Sequence, residues 1–111
     1  MSRGLLTIQF DARLAQQKLV ATAAAFIRAY PIGAVVRGDE ILRWAHEHAD
    51  VADLLAADLL IDGRSKMLGS LRRHLNMAGA SLPEVAHFRV ATVEGEREVF
   101  VVCALAERGV R

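Results

Sequence analysis

Gly63-Arg64-Ser65-Lys66-Met67-Leu68-Gly69-Ser70-Leu71-Arg72-Arg73-His74-Leu75-Asn76 contains four cations and no acid. On a helix, Leu68, Leu71, Leu75 and Ala78 fall on one face at three- and four-residue spacing. Lys66, Gly69, Ser70, Arg72, Arg73 and Asn76 then spread over the outer surface. The spacing predicts a helix over 64–78 that stops near Gly79. Such a helix suits contact with a polyanion. Arg72 and Arg73 can reach phosphates or guanine edges, and Asn76 can pair with adenine. Ser65 and Ser70 can donate to phosphate. Arg64, Ser65 and Lys66 lie at the helix N-terminus, where the dipole already favours anions. Gly69 costs a helix up to ~1 kcal/mol relative to alanine, and a close backbone approach would account for it.

The preceding residues carry the opposite charge. Residues 34–62 hold two cations against seven carboxylates. The net charge of +1 hides this separation. The plainer account of the basic helix is a solvated face whose Arg72 or Arg73 pairs with the acidic block.

Upstream, Asp62-Gly63 breaks a helix over 51–61, with Asp50 as its cap and Leu54, Leu55, Leu59 and Leu60 inward. Residues 40–49 form another amphipathic helix, with Ile41, Leu42, Trp44 and Ala45 as candidate core. Gly38-Asp39 gives its turn and cap. Residues 32–36 are small and β-branched and suit a short strand. Before Pro31, residues 12–29 are strong helix formers with an apolar stripe at Ala15, Leu19, Ala23, Phe26, Ile27 and Tyr30. Leu5 to Phe10 alternates, which predicts a strand, with Asp11 capping the helix that follows. Downstream, Ser81-Leu82-Pro83-Glu84 has the form of a capping box. Residues 88–93 and 98–105 are β-rich around Glu94-Gly95-Glu96-Arg97, a hairpin signal.

A chain of 111 residues suits a single domain with a real core. No run of about twenty apolar residues is available to span a bilayer. Met1 to Gly4 lack the pattern of a secretory leader. Cys103 is alone, which excludes an intramolecular disulfide and fits a cytoplasmic protein. His46 and His48 are two apart and point to different sides of a helix, so they do not share a metal. His74, His87 and Cys103 lack a recognised zinc spacing. Asp50, Asp53, Asp58 and Asp62 read as a cap and a solvated face rather than a Mg²⁺ cluster. No Gly-rich phosphate loop, nucleophile elbow or Cys-x-x-Cys is present. The chain therefore reads as a non-enzyme without metal or cofactor.

The order of strand, long helix, short strand, two or three helices and hairpin resembles the winged helix-turn-helix superfamily. The resemblance implies an α+β, mainly helical winged helix-turn-helix with a C-terminal β-hairpin. Residues 1–111 would form one domain. It would comprise an N-terminal arm or strand (1–10), a long helix (11–30), the helix-turn-helix region (39–78) and a wing hairpin (88–105). The basic helix would enter the major groove of double-stranded DNA, with Arg37 and Arg97 on flanking phosphates. A DNA-binding transcriptional regulator is then expected, or a plasmid- or phage-type accessory protein. A homodimer would suit two half-sites, with Ala21 to Ala25 permitting a close helix seam. The wing tip carries three acids to one arginine, which should repel a phosphate backbone. The alternative is a winged-helix interaction module that docks a partner protein through its acidic helices or acidic hairpin tip.

Overall fold

A computed structural model describes residues 2–63 and 68–104. They form an α+β fold of four helices and a three-stranded antiparallel sheet. Ser2–Ile27 is a single helix, α1. The strand predicted over 5–10 is therefore absent, and Asp11 lies inside the helix instead of capping it. A strand needs a neighbour for its N–H and C=O groups, whereas a helix satisfies them internally. The strands of this fold pair with one another, so residues 5–10 extend the helix behind them.

From Ala15 onward α1 buries Leu19, Ala23, Phe26 and Ile27, as the apolar stripe predicts. Ala29 N–H bonds to Phe26 O and Tyr30 N–H to Ile27 O, tightening the last turn before Pro31. Strand β1 (Val35–Arg37) leads directly into α2 (Gly38–His48). Gly38 is the first helical residue and is buried, so the turn and Asp39 cap expected there do not form. A Cβ on Gly38 would lie 2.7 Å from Asn76 Oδ1 and 2.9 Å from Glu98 Cβ. Three elements meet at that point, and only glycine leaves the room.

Helix α3 (Val51–Asp62) is capped by Asp50, whose Oδ1 accepts from Asp53 N–H at 3.4 Å. Its inner face differs from the expected one. Leu54, Ala57 and Asp58 are buried, whereas Leu59 and Leu60 are exposed. Spacing of three to four residues from Leu54 selects Ala57 and Asp58, and places Leu59 and Leu60 on the other side.

Helix α4 (Leu68–Ala80) buries Leu71, Leu75 and Ala78. It runs through Gly79 rather than stopping there. An added Cβ at Gly79 would lie 3.2 Å from Ile27 Cδ1 and 3.4 Å from Phe100 Cε1. The glycine thus lets α1, α4 and the sheet close together. Ser81 does not open a capping box. Its hydroxyl donates back to Ala78 O at 2.6 Å, and no helix follows. Glu84 instead holds Arg28 at the end of α1. That hydrogen bond is the main reason the Arg28 pKa rises above its ordinary value, against the opposing effect of burial.

Strands β2 (Val85–Thr92) and β3 (Gly95–Val102) form the C-terminal hairpin. Thr92 pairs with Gly95, so the turn is Val93-Glu94, two residues earlier than the sequence suggests. Gly95 adopts φ 119°, a conformation that L side chains rarely adopt. The sheet order is β1-β3-β2, with Val36 opposite Phe100 and Val85 opposite Val102. These four residues are buried against the helices. Trp44 is half-buried at the edge of the core, stacked on His48 and 5.8 Å from Phe26.

Candidate nucleic-acid interface

The polar residues of α4 divide into two groups. Ser70 and His74 face inward with Leu71 and are buried. Ser70 Oγ donates to Asp58 Oδ1 at 2.9 Å, and His74 Nδ1 contacts the same oxygen. Asp58 is fully buried, contrary to the solvated face expected for it. A carboxylate removed from water needs donors, and α4 provides them. This removes Ser70 from the expected phosphate-binding surface. The hydroxyl is directed to the carboxylate rather than to the imidazole, so these three groups form no nucleophile–base relay.

Arg72 and Arg73 lie on the exposed side of α4. They line a groove of about 340 Å³ between α4 and the hairpin. Its other polar walls are Asp39, Asn76, His87, Arg89, Glu96, Arg97 and Glu98. Four arginines therefore face three carboxylates. Pairing follows from proximity: Arg72 Nη1 lies 3.8 Å from Asp39, and Arg89 Nε lies 3.4 Å from Glu98. His87 Nε2 contacts the other Glu98 oxygen. At the tip, Arg97 Nη2 donates to Glu94 at 2.9 Å. Two of the three tip acids, Glu94 and Glu98, are thus held by adjacent cations, which reduces the repulsion expected from the tip. The arginine pairs are largely solvent-exposed, so each is worth about 0–1 kcal/mol.

Asn76 is half-buried, and its Oδ1 lies against Gly38 without a hydrogen-bond partner. It borders the groove instead of standing out from it as a free base-reading side chain. Arg37 is exposed and pairs with Glu40 at 3.4 Å. Register places it beside Val99, on the sheet face opposite Phe100, so it does not join Arg72 and Arg73. Arg64, Ser65 and Lys66 lie outside the described residues.

The structure brings together Arg72, Arg73, Asn76 and Arg97 of the expected set, and adds His87, Arg89, Glu96, Glu98 and Asp39. Alternation along β2 could have found Arg89, since it shares a face with His87. The misplaced turn hid its partner, Glu98.

The acidic block is similarly engaged. Asp53 pairs with Lys18 at 3.1 Å, and Tyr30 donates to Glu40 at 3.0 Å. Burial, and then the bond to Glu40, raise the Tyr30 pKa above its ordinary value. Among the described residues no three His, Cys, Asp or Glu gather as metal ligands. Nor is any helix among them long and apolar enough to cross a membrane. No protein-family model, no curated protein and no solved structure matches this chain.

Proposed function

We propose that the protein is a small cytoplasmic winged-helix protein that binds duplex DNA, with α4 directed to the major groove and the hairpin as its wing. The reading is carried by the groove where Arg72 and Arg73 of α4 meet Arg89 and Arg97 of the hairpin. The single helix before β1, the helices after it and the β1-β3-β2 order support the same assignment. Arg72 and Arg73 contact phosphate or guanine, while Arg89 and Arg97 hold flanking phosphates once they release their carboxylates. Arg37 remains an outlying phosphate contact. Regulation of transcription is the process proposed, with a plasmid- or phage-type accessory role as its variant.

The alternative of an acidic docking module has less support. Asp58 is buried, and Asp39, Glu40, Asp53, Glu94 and Glu98 each hold a cation or hydroxyl of the same chain.

Fluorescence anisotropy on a mixed-sequence duplex tests the proposal. If the four arginines neutralise one phosphate each, log K falls with log salt at a slope of about −3.6. R72E/R73E abolishes binding while the melting temperature stays within about 2 °C, as expected for exposed sites. Absence of salt-dependent binding by the wild type overturns the proposal.

A further inference from the structure

One carboxylate of the groove has two partners. Glu98 Oε2 lies 3.4 Å from Arg89 Nε, while its Oε1 contacts His87 Nε2. The His87 ring stacks on buried Phe100, with centroids 5.1 Å apart, and is half-buried in the groove wall. Arg89 is largely exposed on the same strand. The two partners differ in chemistry. Arginine stays charged throughout the physiological range, whereas a histidine ordinarily changes charge between about pH 5 and 8. The other charged groups around His87 are Arg72 and Arg73 from α4, Asp39 from α2, and Glu96 and Arg97 from the hairpin. Guanidinium and carboxylate groups ordinarily keep their charge between about pH 6 and 8. Among these side chains, only the imidazole is of a type that changes charge there.

A phosphate entering the groove draws Arg89 toward itself, and Arg89 must then leave Glu98. With His87 neutral, that departure uncovers a carboxylate beside the phosphate, and the two anions repel. With His87 protonated, Glu98 keeps a cationic partner and Arg89 is released. We infer that DNA binding in this groove takes up a proton at His87, so that affinity rises as pH falls. The inference rests on the DNA reading of the groove and adds its regulation. His87 is a positioning residue, since it acts on Arg89 through Glu98 and not on the phosphate. The stack on Phe100 holds the ring against Glu98, so the proton arrives where the charge is needed. Linkage gives the sign and the size: uptake of one proton raises affinity by at most about tenfold for each unit that pH falls. His46 and His48 are exposed on α2, His74 is buried against Asp58, and none of the three lines the groove.

Anisotropy on a mixed-sequence duplex at fixed ionic strength, at pH 6, 7 and 8, tests it, with circular dichroism at each pH as the control for folding. The wild type binds about tenfold tighter at pH 6 than at pH 8, within the limit that one proton sets. His87→Gln keeps a neutral donor beside Glu98 and loses that rise. Glu98→Gln removes the charge that needs a partner. It binds tighter than the wild type at pH 8 and is likewise insensitive to pH. Glu98→Gln carries the test alone if loss of the stack on Phe100 unfolds His87→Gln. A wild type whose salt-dependent binding is the same at every pH overturns the inference and leaves the DNA reading standing. A His87→Gln protein that keeps the wild-type pH dependence also overturns it. If Glu98→Gln keeps that dependence, the imidazolium meets phosphate directly and the route through Glu98 fails. If the wild type binds no duplex at any pH, the DNA reading fails and the inference falls with it.

Discussion

Ser70 and His74 on one side of α4, and Arg72 and Arg73 on the other, come from a single polar stretch and meet opposite conditions. The first pair is buried with Asp58, where no water competes for the carboxylate. The second pair faces an open groove, where Arg72 is half-exposed and its link to Asp39 spans 3.8 Å. Low local dielectric makes an unpaired polar group costly in the first place, and solvent screening makes an ion pair weak in the second. Helix α4 is thus fastened by one polar face and turns the other to solvent.

The sharpest way to break this contrast is at Asp58. Asp58→Ala should cost about 3–5 kcal/mol in urea unfolding, because Ser70 and His74 would be left buried without their acceptor. A loss below about 1 kcal/mol would mean that the cluster is solvated and that the contrast is false.

A smaller effect is expected at Gly38, which sets the distance between α4 and the hairpin. Gly38→Ala would place a Cβ against Asn76 and Glu98. The expected destabilisation is about 1–3 kcal/mol, the range for overpacking. DNA affinity should also fall, since the groove must widen to admit the methyl group. An unchanged melting temperature together with unchanged affinity would show that the groove walls are loose.

Tyr30 lies between the two regimes, half-buried and bonded to Glu40. Its folded pKa is raised, so its contribution to stability is complete below pH ~10 and is lost as pH rises through the folded value. Tyr30→Phe should cost about 0.5–1.5 kcal/mol at neutral pH. Melting curves between pH 8 and 11 should show that gap narrowing as pH rises. A gap that stays constant would place the phenol in water.

Local patterns were legible where the controlling physics is local. The α1 stripe at Ala15, Leu19, Ala23, Phe26 and Ile27, the Asp50 cap and the existence of the hairpin all follow from spacing and short-range hydrogen bonding. Alternation at Leu5 to Phe10 misled, because period alone cannot say whether a strand will find a neighbour. Leu59 and Leu60 misled in a related way, since hydrophobicity without a phase does not choose a helix face.

The amino-acid sequence by itself determined the helices from Ala12 onward, the existence of the hairpin and the concentration of cations around the start of α4. Only tertiary structure decided which polar groups are buried. Asp58 and Ser70 are twelve residues apart, and nothing in either neighbourhood specifies the other. The same holds for the groove, where Arg72 meets Arg89 and Arg97 only because α4 lies across the hairpin. Burial and pairing depend on what another element brings within a few ångströms, so the division between buried, anchoring polar residues and exposed ones appears only once the helices and sheet have packed.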